Sequence, residues 1–176
     1  HRIVANLSAL TYMLPLSLAI ATMAAVGQAV GSRDWRQAHA VIKAGLLLAA
    51  LLSTLVGVLL WFAAAPVIAA YTDDPEVRVM AGGLIGYVAL YQFFDALQTV
   101  AGHALRAYRV TFVPMLVQTF CFWGVGLLGG SWLCYRWSPP LGVAGFWIAA
   151  VISLVLAAGL LLSLLRQAMQ ATESPP

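Results

Sequence analysis

Charged side chains are scarce in this chain. Asp, Glu, Lys and Arg make up 9% of its 176 residues, against about 25% in an ordinary soluble domain. With 62% hydrophobic residues and a mean hydropathy of +0.92, there is too little polar surface to dissolve a folded chain in water. The net charge is +3, but the nine basic residues mostly flank apolar runs, and no basic cluster interleaves with aromatics. A nucleic-acid partner is therefore not expected. Cysteine is equally sparse. Cys121 and Cys134 stand 13 residues apart in one expected helix. That is about 20 Å along the axis, beyond the ~7 Å between Cα atoms that a disulfide spans. His39 and His103 form no metal-ligand spacing with them. A phosphate-binding Walker loop, a nucleophile elbow, a dinucleotide fingerprint and a zinc motif are all missing, so the sequence supports neither an enzyme nor a resident cofactor.

What the chain does have is five long apolar runs, over about 3–30, 39–70, 77–105, 114–135 and 142–165. Each is long enough to cross a bilayer, which takes about 20 residues as a helix. The runs lack the two-residue alternation of barrel strands. Backbone polar groups in hydrocarbon need internal partners, which leaves helices. The expected fold is thus an all-α membrane protein with five transmembrane helices. Residues 1–166 would form one helical lobe in the lipid bilayer, and 167–176 a polar tail. Pro15 interrupts the first run, and Ser17, Ala21, Ala24, Ala25 and Gln28 recur on one helical face, a pattern that permits close helix approach. Trp132, Trp137 and Trp147 fall near one expected interface and read as anchors there.

Orientation follows from the basic residues. Arg33, Arg36, Lys43, Arg106, Arg109 and Arg166 fall on one side of the five-span arrangement, and Arg2, Arg78 and Arg136 on the other. The richer side is expected to be cytoplasmic. The C-terminus is then inside and the N-terminus outside. A sequence that starts at His1 and enters a span from outside points to a further helix upstream, and so to a piece of a larger transporter-like protein.

Asp95 is the most informative residue. It lies within the third apolar run, where a carboxylate costs roughly 2.5–3.5 kcal/mol on insertion scales. On a helix, Tyr91, Gln92, Gln98, Thr99 and Gly102 share its face. A carboxylate with a phenol one turn away offers oxygens that replace the water of a hard cation such as Na⁺, and a proton at the same place removes the buried charge. Asp95 and Tyr91 are the candidate cation-coupling residues. Gln92, Gln98, Thr99 and Gln28 are candidate cavity-lining residues, and no other metal site is expected.

The order of segments resembles the C-terminal half of the MATE family, the multidrug and toxic compound extrusion transporters, and within it the NorM-like branch. The resemblance is carried by Ile3-Val4-Ala5-Asn6-Leu7-Ser8, Met13-Leu14-Pro15-Leu16-Ser17 and Val26-Gly27-Gln28-Ala29-Val30-Gly31. It continues in Thr72-Asp73-Asp74-Pro75-Glu76-Val77, in Tyr91-Gln92-Phe93-Phe94-Asp95-Ala96-Leu97-Gln98 with Ala104-Leu105-Arg106-Ala107-Tyr108, in Val113-Pro114-Met115, and in the entry Gly142-Val143-Ala144-Gly145-Phe146-Trp147. Ala107, where the family commonly has glycine, and Phe122, where it often has tyrosine, are departures. The resemblance implies most of one lobe of a two-lobe, inverted-V transporter. It also implies an acid at Asp95 engaged in coupling to Na⁺ or H⁺, with Tyr91 beside it. The implied partners are an organic cation or amphipathic drug and a missing N-terminal lobe; the implied location is the cell inner membrane.

Two other classes compete with multidrug efflux. A lipid-linked oligosaccharide flippase of the same superfamily would want several cationic side chains in its cavity to meet pyrophosphate, and the spans hold almost none. A non-transporting membrane scaffold would leave Asp95 facing lipid. The topology is testable directly. Single cysteines from Ser174→Cys and Asp74→Cys are expected to react with impermeant thiol reagents from opposite sides of the membrane; reaction of both from one side would overturn the five-span arrangement.

Overall fold

A computed structural model describes residues 2–63, 66, 75–135 and 142–173. Helix α1 covers Arg2–Gly31, α2 Trp35–Phe62 and α3 Pro75–Ala107. Helix α4 (Phe112–Thr119) runs into a π-helical stretch, Phe120–Gly129, and then into α5 (Gly130–Tyr135); α6 covers Gly142–Glu173. The acidic turn before Pro75, Trp137, the Ser138-Pro139-Pro140 break and the last three residues lie outside the described residues.

Among the described residues, four stretches are long and apolar enough to cross a membrane: Tyr12–Gly31, Trp35–Phe62, Phe112–Trp132 and Gly145–Thr172. Helix α3, the expected third span, is 33 residues long and carries a run of polar side chains in its second half. Gln92, Asp95, Gln98, Thr99 and His103 dilute its apolar character. The packing explains how such a helix is tolerated. α3 lies at the centre, against α1, α2 and α6, so its polar side chains face protein.

Three boundaries differ from expectation. Helix α2 starts at Trp35, four residues early, because Asp34 caps it by accepting from the Gln37 backbone N–H at 2.9 Å. It ends at Phe62, where Ala63 closes the last turn onto the Leu59 carbonyl, rather than continuing to 70. The expected polar tail is helical through Glu173. Ala168 and Met169 pack on the core there, and the Thr172 hydroxyl sits 3.3 Å from a His39 ring nitrogen of α2. The run from Gln167 to Glu173 holds no glycine or proline, so nothing in it breaks the helix.

The turns after α1 and α3 use the same device. Arg33 and Arg109 adopt left-handed backbone, with φ of 58° and 62°. In each turn, one amide reaches back three residues (Arg33 to Val30, 3.1 Å; Arg109 to Arg106, 2.9 Å). The next reaches back five (Asp34 to Ala29, 2.9 Å; Val110 to Leu105, 3.0 Å). This satisfies the orphan carbonyls of the helix end.

The core is built largely from small side chains. Ala19, Ala49, Ala96 and Val100 form one buried group, and Val26, Ala29, Ala38, Ile42, Ala101, Ala104 and Leu105 join Leu161 and Leu165 in another. The expected small-residue face of α1 is a different one. Ser17, Ala21, Ala24 and Gln28 are exposed, whereas Ala19, Thr22, Val26 and Ala29 are buried. Several stripes of α1 are rich in small residues, and only packing against α2 and α3 selects the one that is covered.

The closest fit of α1 to α2 is at Gly45. A Cβ there would lie 2.6 Å from Thr22 Oγ1 and 2.8 Å from Thr22 Cγ2, and that hydroxyl is already held by the Leu18 carbonyl at 2.8 Å. Gly45→Ala is expected to destabilise the chain by about 1–3 kcal/mol. Adding Thr22→Ala removes both opposing atoms and should recover most of the loss. Unfolding in detergent checks this, and an equal loss in both backgrounds would show that the contact is not the cause.

Candidate functional site

The site grows from the middle of α3. Gln92, Asp95, Gln98 and Thr99 are all buried, Asp95 with 6% of its surface exposed. Their spacing puts them on the helix face that meets α1, α2 and α6. The arrangement around the carboxylate is a chain of amides. Gln98 Nε2 donates to Asp95 Oδ1 at 3.0 Å, and Gln118 Nε2, from α4, donates to Gln98 Oε1 at 3.0 Å. The Thr99 hydroxyl lies 3.4 Å from Gln98 Nε2. Among the described residues, no Lys, Arg or His side chain pairs with Asp95, and no three His, Cys, Asp or Glu side chains come together.

Tyr91, one turn before Asp95, is half-buried. Its ring meets Trp147 of α6 edge-on, with centroids 5.8 Å apart and planes at 78°. Trp147 is therefore not an interfacial anchor, as its position in the sequence implied, but a buried wall beside the site. It holds the Tyr91 ring by aromatic packing rather than by the hydroxyl. Beyond Tyr91 lies a cavity of about 190 Å³, also lined by Phe122, Gly126, Phe146 and Ser153. The Ser153 hydroxyl is buried and has no hydrogen-bond partner among the described residues.

Gln92 is 1% exposed, and neither amide atom has a hydrogen-bond partner among the described residues. Its side chain borders a cavity of about 10 Å³ beside Pro15 and Ser53. That volume matches a single water and is far too small for an organic substrate. Gln28 does not join the others; it lies exposed on α1.

Of the residues expected from sequence, the structure links Asp95, Gln98 and Thr99, places Tyr91 on the next turn, keeps Gln92 buried nearby, and leaves Gln28 apart. Gln118 and Trp147 were not anticipated as site residues. Gln118 is a lone amide between Val117 and Thr119 in an apolar segment, and that is the one signal it offers. Cys121 and Cys134 are both free, as their spacing required.

Comparison with known proteins places the fold and the chain. Residues 1–132 match the MatE family. The chain is 49% identical over 174 residues to a probable multidrug resistance protein NorM of Aromatoleum aromaticum, covering 97% of this chain and 37% of the relative. It is 40% identical over 169 residues to a protein of the same name in Chromobacterium violaceum, covering 93% of this chain and 35% of that one. Multidrug resistance protein PmpM of Pseudomonas aeruginosa is 40% identical over 163 residues, 90% of this chain and 34% of its own length. The chain therefore spans roughly a third of the length of these relatives. In fold it is similar to the crystal structure of the eukaryotic MATE transporter AtDTX14, with a TM-score of 0.86 at 18% identity, over 97% of this chain and 40% of that one. With its all-helical, multi-pass architecture and the match of three-quarters of its length, the chain belongs to the MatE family.

Proposed function

We propose that this chain forms part of a secondary active multidrug efflux antiporter, and that Asp95 takes up and releases the coupling cation, Na⁺ or H⁺, as an organic cation or amphipathic drug leaves. The observation that carries this reading is a buried carboxylate with amide neighbours and no basic side chain among the described residues to neutralise it. Burying such a charge alone is costly, so a proton or a metal cation is the missing partner. Asp95 supplies the charge. The Tyr91 phenol and the Thr99 hydroxyl supply neutral oxygens nearby, the ligand type that hard cations take. Two or three such groups do not enclose a dehydrated ion, so the remaining ligands are assigned to the part of the transporter outside this chain. Substrate would be met at the junction of the two lobes.

The relatives' names as multidrug resistance proteins support the efflux reading. An oligosaccharide flippase fits less well, because among the described residues no Lys or Arg side chain pairs with Asp95 and none lines the cavity beside Tyr91. A scaffold fits less well too, because Asp95 faces protein and not lipid. We further assign the protein to the inner membrane with its C-terminus in the cytoplasm. The His39–Thr172 contact brings the end of α6 to the start of α2, at the end that carries Arg33, Arg36 and Lys43.

Two substitutions in the full-length transporter test the site. Asp95→Asn keeps the shape and removes the charge. It is expected to abolish cation-driven efflux in everted vesicles while leaving expression intact; unchanged transport would reduce Asp95 to a structural role. Tyr91→Phe keeps the packing on Trp147 and removes the hydroxyl. A neutral ligand of this kind contributes roughly 0.5–1.5 kcal/mol, so affinity for the driving ion should fall several-fold, with thermal stability little changed. An ion dependence identical to wild type would remove Tyr91 from the site.

A further inference from the structure

Gln118 reaches Asp95 without touching it. After the left-handed turn at Arg109, α4 and the π-helical stretch that follows pack on α6 rather than along α3. Gln98 of α3 and Gln118 of α4, 20 residues apart in sequence, nevertheless meet at 3.0 Å through their side chains. Gly102, one turn beyond Gln98, also borders the Gln118 amide. A Cβ on Gly102 would lie in ordinary contact with Gln118 Nε2, at 3.5 Å, so only the atoms beyond Cβ of a branched side chain would crowd the amide.

The two hydrogen bonds decide which end of the Gln98 amide faces the carboxylate. Its oxygen accepts from Gln118, and this leaves its NH₂ group for Asp95. If Gln98 alone turned over, its oxygen would oppose Asp95 Oδ1 and its NH₂ would oppose the NH₂ of Gln118. Both contacts would change from attraction to repulsion, in a buried place where unpaired polar groups are costly. Without Gln118 the same reversal loses one contact only. Gln118 thus reinforces the orientation in which Gln98 aims an N–H at Asp95.

We propose that Gln118 is a positioning residue of the cation site, which acts through Gln98 to hold the Asp95 carboxylate in the orientation that receives the coupling cation. The proposal rests on the reading of Asp95 as the coupling carboxylate. It adds to that reading a residue on a different helix. Gln118 lies two residues before the π-helical stretch that begins at Phe120. The site is therefore tied to a segment where the helix changes its hydrogen-bond register, a feature frequent at functional positions.

The test uses Gln118→Met, which keeps the length of the side chain and removes its donor, in the full-length transporter. Drug efflux from vesicles is measured against the concentration of Na⁺ and, separately, of H⁺. The concentration of driving ion at half-maximal rate is expected to rise about three- to tenfold, the range for loss of one buried hydrogen bond, with the maximal rate within about twofold of wild type. The infrared carboxyl band that disappears in Asp95→Asn should shift in Gln118→Met. In a Gln98→Met background, Gln118→Met should add nothing, since its route to Asp95 is already gone. Gly102→Val, whose branched methyls would crowd the Gln118 amide from the same helix as Gln98, is expected to reproduce the effect and serves if Gln118→Met fails to fold. A wild-type half-saturation and an unmoved band, together with loss of coupling in Asp95→Asn, would overturn the role of Gln118 and leave Asp95 in place. Persistence of coupling in Asp95→Asn would instead remove the reading on which the proposal stands. Equal effects of Gln118→Met with and without Gln98 would show that it does not act through Gln98, and would also overturn it.

Discussion

A carboxylate buried among helices, with no basic side chain among the described residues to answer it, sets the terms for the rest of this structure. Asp95 is nearly fully covered, and among the described residues the side chain that hydrogen-bonds it is the Gln98 amide. Such a group needs either constant hydrogen-bonded support or a mobile positive charge. The structure supplies the support through Gln98 and Gln118. The mobile charge is what the proposed function adds. That requirement also explains why α3 occupies the centre. Its polar face would be unaffordable against lipid, and α1, α2 and α6 cover it with protein.

Covering a polar helix on three sides demands close approach, and the composition of the core meets that demand. Alanines on all four helices, with Gly45 fitted against Thr22, bring backbones near one another without bulky side chains between them. The large side chains are sent outward instead. Phe62, Trp61, Phe120, Trp123 and Leu128 are exposed in this chain, as suits a surface that meets hydrocarbon or further protein. Trp147 is the exception. It lies inside, and its edge contact with Tyr91 fixes the aromatic wall next to the carboxylate.

Much of the site was legible because its grammar is local. Tyr91, Gln92, Asp95, Gln98 and Thr99 lie within nine residues of one helix, and helical periodicity alone puts them on a common face. Gln118 was not legible in this way. Its place beside Gln98 depends on the direction α4 takes after the turn at Arg109, and a single amide in an apolar segment carries no periodic signal. The same limit applies to α1, where the exposed Ser17–Gln28 stripe and the buried Ala19–Ala29 stripe look alike in sequence. It applies to Phe120–Gly129 as well, because a change from α to π hydrogen bonding alters the register of the backbone without altering hydrophobicity.

By itself the sequence determined that this is a helical membrane protein, that an acid sits in the middle of its third apolar run, and that a MATE-like order of segments surrounds it. Those properties follow from composition and from spacing within single helices, which short-range physics controls. Tertiary structure alone decided which face of α1 is covered, that the segment after Arg166 continues as helix and docks on α2, that Trp147 turns inward, and that Gln118 completes the support of Asp95. Each of these depends on the distance between residues far apart in the chain, and packing in three dimensions is what sets that distance.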